Sequence, residues 1–143
     1  MRINDVLRSK PSQDVVTISP DATVRELIAA LSEHNVGALV VSSDGASVDG
    51  IVSERDIVRR LRDDEALLER PVGSIMTSQV HTAEGGHEVN QLMLVMTEKR
   101  IRHVPILSDG RLTGIISIGD VVKSRIGELE FERDQLDRYL HQT

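Results

Sequence analysis

The chain has no cysteine, no tryptophan, one phenylalanine (Phe131) and one tyrosine (Tyr139) in 143 residues. The missing thiols exclude disulfides, thiolate metal sites and a cysteine nucleophile. The missing rings mean that the core is aliphatic, and that a bound base must be walled by Val, Ile, Leu and Ala. No apolar run approaches the roughly 20 residues of a membrane helix. The opening Met1-Arg2-Ile3-Asn4-Asp5 carries no apolar leader. Basic runs are also absent: 17 Lys and Arg stand against 23 Asp and Glu, a net charge of −6. That balance argues against a nucleic-acid or anionic-membrane surface. The expectation is a cytoplasmic protein with one ordinary core or two small ones.

What is present is a repeat. Displaced by 65 positions, Val15 falls on Val80, Thr17 on Thr82, Val24 on Val89, Leu27 on Leu92, and Ser43-Asp44-Gly45 on Ser108-Asp109-Gly110. After one inserted residue the offset becomes 64. Gly50-Ile51-Val52-Ser53 then falls on Gly114-Ile115-Ile116-Ser117, and Asp56-Ile57-Val58 on Asp120-Val121-Val122. Repeats at such spacing signal two copies of one supersecondary unit. Each copy reads β-α-β-β-α. Val15 to Ile18 predicts a strand. Thr23 and Glu26 stand at capping-box spacing before a helix with Val24, Leu27, Ile28 and Leu31 on one face, closed at Asn35. Ala38 to Val41 and Gly50 to Val52 predict a hairpin about Ser43-Asp44-Gly45. The charged stretch Arg59 to Pro71 is expected to link the copies, either as a connection or as a continuation of the preceding helix. Beyond the repeat, Val122, Ile126, Leu129, Arg133, Leu136 and Leu140 follow a 4-3-4-3-4 spacing. This seam fits a helix packed on its own domain or a coiled-coil contact with a second chain.

The strongest pattern is Gly-apolar-apolar-Ser-x-x-Asp-apolar, found at Gly50–Ile57 and again at Gly114–Val121. Ser-x-x-Asp at a helix start is first a capping box. A helix N-terminus at a strand end also gathers N–H donors suited to phosphate. A carboxylate there has two oxygens to offer the two hydroxyls of a ribose.

With Thr17 and Thr82 at the first strands and the doubled Gly-apolar-apolar-Ser-x-x-Asp segment, the chain resembles a tandem pair of cystathionine-β-synthase (CBS) domains, a Bateman module. Arg100-Ile101-Arg102-His103-Val104-Pro105-Ile106 is similar to the family's second-strand motif. Val36-Gly37-Ala38-Leu39-Val40-Val41 in the first copy lacks its Pro and its basic pair. The resemblance covers roughly Ile3 to Ser124. It implies an α+β fold of two repeats packed about a pseudo-two-fold axis, with a C-terminal helix. The corresponding division is 1–64 and 72–126 for the repeats, 65–71 for the linker and 127–143 for a helical extension.

The resemblance further implies two clefts for adenosine-containing ligands: AMP, ADP, ATP, NAD(H) or S-adenosylmethionine. Cleft A would use Ser53, Arg55 and Asp56 with Thr82, His87, Ile101, Arg102 and His103. Cleft B would use Ser117, Gly119, Asp120 and Lys123 with Thr17, Ala22, Val36, Gly37 and Ala38. Asp56 and Asp120 would hold ribose, the threonines would read the adenine edge, and Val36 and Ile101 would sandwich the ring. Arg55, Arg102 and His103 would take phosphate in cleft A. Gly37 and Ala38 leave room rather than charge in cleft B, with Lys123 its local cation.

Enzyme readings find little support. The five histidines are scattered, and neither a nucleophile elbow nor a P-loop occurs. Gly85-Gly86 takes the place of Pro20-Asp21 in the repeat and reads as a loop before a helix. No metal cofactor is called for. The expected partners are an adenosyl small molecule, a second copy of the chain as a homodimer, and an unidentified protein that receives the signal. The competing reading is a module for ligand-independent interaction or dimerisation, in which the doubled motif only caps helices.

Overall fold

The computed structural model describes residues 1–141. Two three-stranded sheets repeat one plan. In the first, β1 (Thr17–Ile18) runs parallel to β2 (Ala38–Val41), which pairs antiparallel with β3 (Gly50–Ser53). In the second, β4 (Ala83–Glu84) runs parallel to β5 (His103–Ser108), and β5 pairs antiparallel with β6 (Arg111–Ser117). The helices are α1 (Ile3–Ser9), α2 (Val24–His34), α3 (Glu54–Leu61), α4 (Val89–Lys99) and α5 (Ile118–Leu140). The fold is the expected α+β pair of copies with a helix at its C-terminal end.

Local chemistry explains the common plan. Thr23 Oγ1 accepts from the Glu26 N–H at 3.1 Å and starts α2. That helix turns Val24, Leu27 and Leu31 to the core and stops at Asn35, whose φ of 52° is left-handed. Arg100 closes α4 in the same conformation, with φ 55°. It stands 65 positions after Asn35, so the backbone turn repeats although the side chain does not. The first copy's expected strand from Val15 shortens to two residues, because only Thr17 and Ile18 have partners on β2.

Each copy's core is completed by a segment from the other end of the chain's plan. Ile3 and Val6 of α1 are fully buried with Val89, Leu92, Met96 and Ile116 in the second core. Their backbone is tied there too, the Ile3 N–H donating to His87 O at 2.9 Å. Leu67, Val72 and Ile75 fill the first core in return. The stretch after α3 therefore does not continue that helix. It breaks at Asp63 and Asp64, where Asp64 accepts from the Ala66 N–H and the Arg70 guanidinium, and descends into the core through two short 3-10 turns. The N-terminal helix α1 has no place in the β-α-β-β-α reading and is an addition to it.

The expected C-terminal helix is present. It is the distal part of α5, which runs unbroken from the second motif. Residues 142 and 143 of that extension lie outside the described residues. Among the described residues, no helix is long and apolar enough to cross a membrane.

Candidate functional site

Both doubled motifs form complete capping boxes. The Ser53 N–H donates to Asp56 Oδ2 at 2.8 Å, and the Ser117 N–H to Asp120 Oδ2 at 2.9 Å. The serine hydroxyls accept in return from the Asp56 and Asp120 N–H groups. Ser53 Oγ lies a further 3.1 Å from Asp56 Oδ2. Each carboxylate thus commits Oδ2 to its own helix start.

The strands then fix what surrounds each motif. Ala38 is in register with Ser53, and the Glu54 N–H donates to Gly37 O at 3.0 Å. The same bond recurs in the second copy, from the Ile118 N–H to Arg102 O at 2.8 Å, with His103 in register with Ser117. The starts of β2 and β5 therefore meet between the motifs. A Cβ placed on Gly37 would lie 3.8 Å from His103 Cε1.

A cavity of about 560 Å³ opens at this junction. It gathers Ser53, Arg55 and Asp56 from one copy with Ile101, Arg102 and His103 from the other, as the cross-pairing implied by the resemblance requires. Gly37 and Ala38, expected beside Asp120, line this same cavity, because β2 pairs with the strand that ends at Ser53. Glu54, Arg59, Thr77 and Arg100 complete the wall. Among the described residues, none of Arg55, Arg59, Arg100 and Arg102 is in an ion pair, so four guanidiniums border one space without a carboxylate partner.

Thr82 and His87 are elsewhere. They line a cavity of about 230 Å³ with Ile3, His81, Glu84 and Gln91, beneath α1. Ile3 of α1 forms part of its wall.

The second motif has different neighbours. Asp120 and Lys123 line a cavity of about 320 Å³ with Asp5, Ser9 and Lys10. Lys10 Nζ lies 3.1 Å from Asp120 Oδ2 and donates to Ile115 O at 2.8 Å. Burial would raise the Asp120 pKa, but the Ser117 N–H and the Lys10 ammonium outweigh it and hold the carboxyl below its usual range. The other residues expected at cleft B are dispersed. Thr17 pairs with Val40 in the sheet, Ala22 packs on the first core, and Val36 borders an open groove with Ile28, Ile57 and Val58. Gly119 sits in the first turn of α5, 3.6 Å by its would-be Cβ from Ser117 Oγ.

His103 faces both motifs. Its pKa lies below the usual histidine value: burial is the largest cause, Lys10 and Arg102 add to it, and Asp120 and Glu54 oppose it. Lys10, Arg59, Thr77 and Arg100 were not found from the sequence. Arg100 had a signal, since it opens the basic second-strand segment. Lys10 had none, because it lies outside the repeat and meets Asp120 across 110 positions of chain.

Comparison with known proteins agrees with this architecture. The family model of the CBS domain matches residues 3–63 and 72–127. The chain is 34% identical over 146 aligned residues to the mitochondrial CBS domain-containing protein CBSX3 of Arabidopsis thaliana, covering 96% of this chain and 71% of that one. Among solved structures, it resembles a CBS-domain protein of Agrobacterium tumefaciens, with 42% identity, a TM-score of 0.82, and coverage of 87% and 99% of the two chains. It also resembles the CBS domain pair of protein MJ0100, with 25% identity, a TM-score of 0.75, and coverage of 90% and 98%. That structure is a complex with 5′-methylthioadenosine and S-adenosyl-L-methionine.

Proposed function

This chain belongs to the CBS-domain family, and on that premise we propose that it is a non-catalytic regulatory module that binds an adenosine-containing ligand and reports its presence to a partner. The observation that carries the reading is the cavity at the junction of the copies, where Asp56 from one repeat meets Arg102 and His103 from the other. Asp56 Oδ1 accepts a ribose hydroxyl. Ile101 and Ala38 flank the base in place of the aromatic rings this chain lacks. Arg55, Arg59, Arg100 and Arg102 take phosphate, which favours AMP, ADP, ATP or NAD(H) at this site. The MJ0100 pair with its two adenosyl compounds supports the ligand class.

A second reading is favoured by α5, where Val122, Ile126, Leu129, Leu136 and Leu140 are each about half exposed. In that reading the chain is a ligand-independent dimerisation module and the apolar seam is its working surface. Thermal shift with adenosine, AMP, ATP, NADH and S-adenosylmethionine separates the two. A sensor is stabilised by mass action, as RT ln(1 + [L]/Kd). A melting temperature that ignores all five ligands at millimolar concentration refutes the sensor reading.

A further inference from the structure

The two motif carboxylates share a helix cap but not their electrostatic partners. Among the described residues, Asp56 Oδ2 has only its own serine, through the N–H and the hydroxyl. Asp120 Oδ2 has the Ser117 N–H and the Lys10 ammonium. Lys10 is half-buried, and its second bond, to Ile115 O, places the ammonium between β6 and the motif. It arrives on the connection after α1, which is held to that helix by Gln13 Nε2 donating to the Leu7, Arg8 and Lys10 carbonyls at 3.1–3.3 Å. Lys10 is thus the connection's charged link to the motif. The same offset of 65, carried back past the start of the repeat, sets Ile75 opposite Lys10, and Ile75 is buried in the first core; among the described residues no ammonium pairs with Asp56.

An ammonium on a carboxylate pairs two charges and binds more strongly than a neutral hydroxyl on the same carboxylate. A ribose that approaches Asp120 therefore competes with Lys10, whereas among the described residues no cation is paired with Asp56. We infer that Lys10 is a displaceable internal occupant of the Asp120 motif, so that the second site admits an adenosyl ligand only as Lys10 leaves its carboxylate. This rests on the adenosyl-binding reading above and adds to it an order of loading: the Asp56 site fills first. A phosphorylated ligand offers Lys10 a new anionic partner on displacement. An uncharged nucleoside does not, and bears the full competition.

Adenosine is therefore the probe. Titrate it by calorimetry into the full chain carrying Asp56→Asn, with and without Lys10→Met. The charge-removed variant should bind up to about fivefold more tightly, the upper end for relieving a partly exposed ion pair. In parallel, the rate of acylation of the Lys10 amine should rise in Asp120→Asn without ligand, and in the parent protein when adenosine is added. Equal or weaker adenosine binding by the Lys10→Met protein overturns the inference, as does slower labelling of Lys10 on adding adenosine. Labelling unchanged by Asp120→Asn also overturns it, because the ion pair then does not hold the amine. These failures leave binding at Asp56 intact. Absence of adenosine binding in the parent and every variant instead overturns the adenosyl reading, and the gate with it.

Discussion

Gly50 lies against Met76 so closely that a Cβ on the glycine would fall 2.6 Å from the Met76 sulfur and 2.8 Å from the carbonyl oxygen of Thr77. The doubled motif begins with glycine because a segment from outside its own β-α-β-β-α unit crosses there. The second copy repeats the arrangement, with Gly114 against Leu7, but the would-be Cβ meets only a side-chain methyl, Cδ2, at 2.8 Å. A flexible leucine can move, whereas the Thr77 carbonyl is fixed by its bridge to Ile51, whose N–H donates to it at 2.9 Å. Gly50→Ala should therefore cost about 1–3 kcal/mol, the usual range for overpacking, and Gly114→Ala less. Thermal denaturation of the two variants checks this. Equal losses, or a larger loss at Gly114, would contradict it.

The repeat, the capping boxes and the left-handed end at Asn35 were legible because each is a local pattern with a local cause. Ser53 and Asp56 are three residues apart, and their bonds follow from the helix start itself. The role of the motif glycines was not legible, because it depends on Met76 and Leu7, residues outside the aligned copies. The same holds for α1. Its seven residues show too little periodicity to announce a helix, and the buried residues of the core it joins begin only at Val89, far along the chain. The site was legible in part. Pairing Asp56 with Arg102 and His103 follows from how the two sheets meet. Thr82 and His87 line another cavity instead, with Ile3 of α1 on its wall. Gly37 and Ala38 were assigned to the far motif, although the hairpin that puts Ala38 opposite Ser53 was itself foreseen.

Asp56 is proposed to serve both the cap and the ligand, and two substitutions separate the roles. Asp56→Ala removes both, and should weaken adenosine-nucleotide binding about 10- to 150-fold, for loss of a charge-assisted bond of roughly 1.5–3 kcal/mol. It should also lower stability by about 0.5–2 kcal/mol through the damaged cap. Asp56→Asn keeps an acceptor for the Ser53 N–H and should retain most of the stability while losing much of the affinity. Binding of AMP by both variants at parental strength would exclude the ribose role.

The unpaired guanidiniums predict a dependence on phosphate number. Arg102→Ala should reduce the preference for ATP over AMP while changing adenosine affinity little. Salt should weaken ATP binding to the parent more than to the variant, because the lost contact is ionic and the cavity is open to solvent. Calorimetric titrations of the three ligands at two salt concentrations check both. An ATP-over-AMP ratio shared by parent and variant would mean that Arg102 is ordinary surface.

The apolar seam of α5 predicts self-association. Its leucines and Ile126 project from a 23-residue helix and are about half exposed, and their alternating spacing of four and three suits a matching helix from a second copy. The full chain should sediment as a dimer at micromolar concentration, and a chain ending after Ser124 should dissociate more readily. A single Leu129→Lys change should have the same effect, by placing a charge in the seam. A monomeric full chain would refute the contact.

One residue, His103, should give two pH trends of opposite sign. Burial pulls its pKa below the roughly 6.5 of an exposed histidine, with Lys10 and Arg102 assisting and Asp120 and Glu54 opposing. Folding therefore favours the neutral ring. Above about pH 6.5 the folded and unfolded chains both carry His103 neutral, and its contribution is complete. As pH falls below that value, the unfolded chain takes up the proton first. Stability is then lost until the folded-state pKa is passed. A bound phosphate acts the other way. It favours the imidazolium, so the pKa in the complex lies above that of the free protein, and nucleotide affinity falls as pH rises through the bound-state value. Between about pH 5 and 7.5 the parent should thus become more stable but bind AMP less tightly as pH rises. His103→Gln keeps a hydrogen-bonding side chain without a titrating ring, and should flatten the part of each curve that His103 supplies. Melting temperatures and AMP titrations across this range provide the measurement. If His103→Gln leaves the affinity curve unchanged but flattens the stability curve, His103 is a buried structural histidine and takes no part in holding phosphate.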